Sequence, residues 1–166
     1  MTLDHCHFRL QLQGIARSSL PGISGKVTLG ADSTIDMEQF STPPIGIHVI
    51  RISGITDTVN PILNLADLVV TADGATVTNG DGKNLVDGQA IEVDRIHFIS
   101  VRRIDGNAGF MSCTGSGDIF PSLGSHTGFA KFTEDTAGTD IDVVETITFA
   151  NNGSAECSVE IVIAYA

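Results

Sequence analysis

The stretch 140–166, DIDVVETITFANNGSAECSVEIVIAYA, decides the fold class. Ile147 and Phe149 fall on alternate positions, after Val144 has broken the alternation of Ile141 and Val143. Beyond Asn152-Gly153, the residues Cys157, Val159, Ile161, Ile163 and Tyr165 alternate with Glu156, Ser158, Glu160, Val162 and Ala164. A period of two sends successive side chains to opposite faces of a strand. Asn-Gly between two such runs predicts a tight hairpin, because both residues tolerate positive φ. The second run becomes apolar on both faces towards its end. The reading is therefore a C-terminal hairpin at the centre of a sheet.

The rest of the chain has the same character. Strand-like runs cover 5–13, 25–29, 34–40, 45–55, 75–78, 91–103, 110–114 and 129–133, while 65–70 reads as a strand or one helical turn. Turn signals separate them, among them Asp73-Gly74, Asn79-Gly80-Asp81-Gly82, Asp87-Gly88 and Asp105-Gly106-Asn107. In 45–55 the alternation changes phase between Val49 and Ile50, which predicts a bulge or burial on both faces. No amphipathic run of helical period exceeds two turns. The pattern predicts an all-β chain: one antiparallel β-sandwich domain over 1–166, jelly-roll-like, with about eight to ten strands and long loops. Helix should make up under about a tenth of the residues. The expected core includes Phe8, Leu10, Ile47, Ile52, Ile96, Phe98, Ile147, Phe149, Val159 and Ile161. The segments around Ile96-His97-Phe98 and Ile147-Thr148-Phe149 each lead through a turn to a return strand containing Cys, and both read as hairpins.

The chain has 166 residues, a formal net charge of −11 and only 9 Lys plus Arg. Such a charge repels nucleic-acid phosphates and anionic lipid, so neither is an expected partner. No apolar run reaches the length a membrane span needs, and the first residues lack the pattern of a secretory signal. The sequon Asn152-Gly153-Ser154 would matter only in a secreted eukaryotic protein. Three cysteines, Cys6, Cys113 and Cys157, stand among apolar neighbours without metal spacing. They read as reduced core thiols of a protein made in the cytoplasm, with a Cys113–Cys157 bridge as the alternative.

Candidate chemistry is sparse. His5 and His7 share a strand face and could grip a metal, but no carboxylate follows at a fixed short spacing. An exposed polar face is the simpler account. His48, His97 and His126 are scattered and read as surface or interface residues. The loop 73–87 is rich in Asp and Asn and faintly resembles a calcium loop, yet lacks the closing bidentate Glu; turn formation explains its composition. Neither a nucleophile elbow nor a phosphate-binding loop is present. With Trp absent and Tyr165 the one tyrosine, aromatic platforms for sugar are lacking. No catalytic residue, cofactor or metal is expected, and the chain reads as a non-enzyme.

The strand 91–103, the Asp105-Gly106-Asn107 turn, the small-residue return strand, the loop anchored by Phe120 and Leu123, and the final ITFANNG hairpin together resemble small all-β structural proteins of tailed-phage virions. The likeness covers roughly the C-terminal half and includes capsid decoration (cement) proteins and tail or fibre components. It implies a homo-oligomer, commonly a trimer, that binds a major capsid protein and is located in the virion after assembly in the host cytoplasm. The loops around Pro43-Pro44 and 115–125, with Phe120 and Leu123, are then the expected contact points. Two other readings stand beside it: a sandwich module binding a sugar or receptor, and a metal-dependent jelly-roll enzyme using His5 and His7. Capsid and tail locations are not separated at this level.

Overall fold

The computed structural model describes residues 7–17, 26–36, 44–107, 109–115, 122–132 and 146–166, the first two segments by their backbone. Among these residues eleven strands follow in chain order: β1 His7–Arg17, β2 Lys26–Asp36, β3 Gly46–Ile55, β4 Ile62–Asn64, β5 Val69–Thr71, β6 Thr76–Thr78, β7 Ile96–Arg103, β8 Met111–Gly115, β9 Gly128–Phe132, β10 Thr146–Asn151 and β11 Cys157–Tyr165. Helix is absent among the described residues. The fold is all-β, as the alternation predicts.

Two antiparallel sheets form the body. One has the order β5-β4-β10-β8, the other β6-β3-β11-β7-β9. Beyond β8, Leu123 exchanges both backbone hydrogen bonds with Met111, at 2.9 and 2.7 Å, and so takes the next place in the smaller sheet. The chain thus steps from β3 to β4, from β7 to β8, from Leu123 to β9, and from β10 to β11, changing sheet each time. This is an antiparallel ribbon rolled into two layers, the connectivity of a jelly roll. β5 and β6 extend the two sheets on the same side. β1 and β2 form a two-stranded ribbon, in register from His7↔Asp36 to Arg17↔Lys26, and among the described residues it is hydrogen-bonded to neither sheet.

The central strand of the larger sheet is β11. Its inward positions Cys157, Val159, Ile161 and Ile163 are 0% exposed. They meet Ile147, Phe149 and Leu63 of the other sheet in one apolar cluster. Each of the Val, Ile, Leu and Phe side chains contributes about 1.5–3 kcal/mol by leaving water. Gly54 sits at a bulge: Cys157 pairs with Ile55 and Ser158 with Ser53, which leaves Gly54 between them at φ 79°. The extra residue lets Ile52 and Ile55, three apart, both face the core. A second irregularity lies where Ala164 pairs with Phe98 and Tyr165 with Ile96, so that His97 is skipped.

Several expectations need correction. Asn152-Gly153 does not close a hairpin, because β10 and β11 lie in different sheets; it is an arch between layers. The turn at 104–110 is likewise an arch, from β7 to β8, in the opposite direction. The kinship between the two segments is therefore real as topology, but neither is a hairpin. Ile47 is 47% exposed, not core. β3 alternates without a phase change at Val49, since His48, Ile50 and Ile52 face inward. His48 and His97 are buried, at 1% and 0% exposure, and not surface residues. Segment 65–70 is neither one strand nor a helical turn; residues 65–68 form a turn between β4 and β5. Ile52, Ile96, Phe98, Ile147, Phe149, Val159 and Ile161 are buried as expected. The side chains of Phe8 and Leu10 lie outside the described residues.

Candidate interaction surface

The two arches meet at one end of the sandwich, and a buried arginine holds them. Arg103 ends β7 in phase with Val101 and Ile99, so its side chain points inward and is 0% exposed. The chain turns at once, bringing Asp105 back to it. Arg103 Nη2 and Nε both donate to Asp105, at 2.7 and 3.0 Å to Oδ1. Nη1 donates to the Gly109 carbonyl and Nη2 to that of Asn107, both at 2.7 Å. Asp105 in turn accepts from the Ser158 amide at 2.7 Å and the Asn107 amide at 3.0 Å. Asn107 Nδ2 donates to the Glu156 carbonyl. On the second arch Asn151 Nδ2 donates to the carbonyls of Ile55 and Ala155. One guanidinium–carboxylate pair therefore ties the start of β11 to the end of β7.

Electrostatics follow this geometry. Burial pushes the Asp105 carboxyl up, but Arg103 and the two amides outweigh it and hold the group below the ordinary carboxylate range. The hydrogen bond to Asp105 raises Arg103 against the opposing effect of burial. Burial raises the thiols of Cys157 and Cys113, the latter to about 12. Both are free thiols, so no Cys113–Cys157 bridge forms. A thiol held so far above neutrality is a poor nucleophile and a poor metal ligand.

The outward face of the larger sheet carries a second charged group. Register places Arg51, Glu160 and Arg102 side by side on β3, β11 and β7. Arg51 Nη2 and Arg102 Nη2 each lie 2.8 Å from a different oxygen of Glu160. The hydrogen bond from Arg51 leads the effects that lower Glu160 below its ordinary value. One carboxylate serves two arginines, which leaves a local excess of positive charge on an acidic chain. Beside it, Arg102, Arg103, Ile104 and His126 line a shallow cavity of about 180 Å³. His126 is exposed and holds φ 55°, an uncommon conformation for a side-chain-bearing residue. Phe110, 65% exposed, lies beside Gly124, two residues before His126, since a Cβ on Gly124 would lie 3.9 Å from its Cε1.

The residues singled out from the sequence are dispersed. Pro44 is buried just before β3, while Pro43 and Phe120 lie outside the described residues. Leu123 is 2% exposed and packs in the core cluster, so its side chain anchors the loop and is not offered to a partner. His5 lies outside the described residues, and His7 opens β1. His48 Nε2 donates to the Asn79 carbonyl. In the loop 73–87, Asp73 accepts from the Asn60 amide, Asp81 from Lys83, Asn84 from Val86 and Asp87 from Gln89. These carboxylates and amides organise turns. Among the described residues no three His, Cys, Asp or Glu side chains converge on a metal-sized space.

What the sequence reading passed over is the arginine set. Arg103 was visible as a charge in phase with Val101 and Ile99, directly before an Asp-Gly turn. The Arg51–Glu160–Arg102 row depends on which strands become neighbours, and nothing local reveals that. Compared with known proteins, the chain matches no family model, no curated protein and no solved structure. No helix among the described residues is long and apolar enough to cross a membrane.

Proposed function

We propose that the chain is a virion structural protein, a capsid decoration protein that stabilises a shell by protein–protein contact and catalyses no reaction. The observation that carries this reading is the β1–β2 ribbon attached to a jelly roll. Its eleven-residue strands are in register along their whole length, yet among the described residues they join neither sheet. A two-stranded ribbon is marginal alone in water and gains stability by lying against another surface. An arm of this kind is suited to lie on a neighbouring subunit or on a capsid protein. Jelly rolls serve viral capsids, lectins and cupins, and fold alone does not choose among them. The single tyrosine favours the first over a lectin: Tyr165 is 5% exposed, so it gives sugar no stacking platform.

In this reading the working unit is a homo-oligomer, most simply a closed trimer, and its second partner is a major capsid protein. Closed symmetry covers sticky surface without forming fibres. Three lysines in the whole chain leave few of the charges that usually guard sheet edges. The site of action would be the virion, reached after assembly in the host cytoplasm.

The test has two parts. Light scattering on the full chain gives its mass in solution, expected at three times the monomer. Cosedimentation with shells built from a major capsid protein encoded near this chain's gene should then deplete the chain from the supernatant. A monomer that leaves such shells bare would remove the decoration reading and favour a soluble binding module.

A further inference from the structure

The two ends of the sandwich differ in chemistry. At the end where Gly46, Ile96 and Tyr165 lie, the loop between β6 and β7 projects a tight turn. The Asn84 amide donates to the Gln89 carbonyl at 2.7 Å, and the Gly88 amide donates to the Asn84 carbonyl at 2.9 Å. Asn84 Oδ1 accepts from the Val86 amide and Asp87 Oδ1 from the Gln89 amide. This closed frame presents Leu85, 51% exposed, and Val86, 68% exposed, with exposed Asp87 beside them. Two aliphatic side chains held in water by a rigid turn gain nothing for the isolated chain. Their frame has already lost the freedom that docking would otherwise remove.

At the opposite end lies the shallow cavity lined by Arg102, Arg103, Ile104 and His126. Ile104, 38% exposed, lines it, and Phe110, 65% exposed, lies beside Gly124, two residues before His126. Arg102 shares Glu160 with Arg51, so its guanidinium has donors to spare for a further carboxylate. The cavity thus offers apolar surface and positive charge; the turn offers aliphatic surface and a carboxylate. β7 runs from one end to the other, and its eight residues span roughly 23 Å at about 3.3 Å per step. The turn cannot reach the cavity of its own chain.

We infer that the turn of Leu85, Val86 and Asp87 docks head to tail into the Arg102–His126 cavity of a second copy of this chain. Leu85 and Val86 cover Ile104 and Phe110, and the Asp87 carboxylate lies against Arg102. Such a contact joins two different surfaces, so it leaves one free turn and one free cavity on every dimer. It closes only when a ring forms. This deepens the proposed function, since it names the contact that would hold the homo-oligomer together.

The experiment uses two full-length variants. Val86→Glu spoils the turn at a position too exposed to disturb the core, and Arg102→Glu spoils the cavity. Circular dichroism melting curves establish that each is folded. Light scattering should find the wild type as a multimer and each variant alone as a monomer. An equimolar mixture should give a dimer and nothing larger, because only one intact turn and one intact cavity can meet. A two-fold contact of like surfaces cannot give that result. A wild-type multimer unaffected by Val86→Glu overturns the head-to-tail contact while leaving assembly intact. A wild type that is monomeric at all concentrations removes both.

Discussion

Arg103 and Asp105 face each other across a single turn, with Nη2 2.7 Å from Oδ1 and none of the guanidinium exposed. The pair also binds three backbone groups of its own arch and the Ser158 amide of β11. Its value lies in satisfying every group that burial strips of water, since a buried ion pair alone seldom stabilises.

Removing one partner should therefore cost far more than replacing both. Arg103→Ala or Asp105→Ala is expected to lose about 3–5 kcal/mol in urea denaturation, because each leaves an uncompensated charge. A loss below about 1 kcal/mol would mean the arches hold without the pair. Asp105 also has a pH signature. Its folded value is below its unfolded one, near 3.9, so its stabilisation is complete above that point. It is lost as pH falls from there through the lower folded value. Asp105→Asn should flatten this part of the acid-unfolding curve.

Gly46 lies under the ring of Tyr165, its partner on β11. A Cβ there would sit closer than contact distance to two carbons of the ring and to its hydroxyl oxygen. The ring is 5% exposed and cannot swing away freely. Gly46→Ala should cost about 1–3 kcal/mol, the usual penalty of overpacking. Gly46→Ala combined with Tyr165→Leu should recover part of that loss relative to Tyr165→Leu alone. Equal costs in both backgrounds would show that the ring is not the obstacle.

Burial and a thiol raised to about 12 should keep Cys113 unreactive in the folded protein, and Cys157 shares its protection. Brief iodoacetamide treatment at mildly alkaline pH, read by mass spectrometry, should leave both unmodified. The same treatment in denaturant should label them fully. Native labelling at Cys157 would indicate that the second arch opens on the timescale of the reaction.

The carboxylates of the loop 73–87 are engaged in turns, with Asp73 fastened to Asn60 and Asp87 to Gln89. Millimolar calcium should leave the melting temperature within a degree or so of its value in chelator, because binding to the folded state would raise it by mass action. A rise of several degrees would show that the loop rearranges around the ion.

Strand identity was legible because burial and alternation are local. Ile161 and Ile163 could be placed on one face without knowing their neighbours, and Phe149 likewise. Pairing was not legible. Asn152-Gly153 satisfies the dihedral needs of a hairpin turn and of an arch equally well, and only the packing of β10 against β4 and β8 decides between them. His48 was misplaced for a related reason. A histidine among isoleucines invites assignment to the outer face, but the Asn79 carbonyl meets its ring nitrogen and makes burial tolerable. Leu123 was correctly seen as an anchor, yet an anchor faces inward and so cannot also be the contact. The surface arginines escaped notice because Arg51 and Arg102 become neighbours only through Glu160, which comes 109 residues after the first and 58 after the second.

The position of β11 bears on how the chain reaches this state. It follows the other described strands in chain order, and it lies between β3 and β7. Until it has emerged from the ribosome, those two strands cannot be bridged, and each presents a bare hydrogen-bonding edge. Contacts between segments so distant along the chain form slowly, because a long loop must close before any reward appears. During that interval the nascent protein carries two apolar edges open to like edges on other chains. Synthesis rate and chaperone supply, more than the stability of the finished sandwich, would then govern the yield of folded protein.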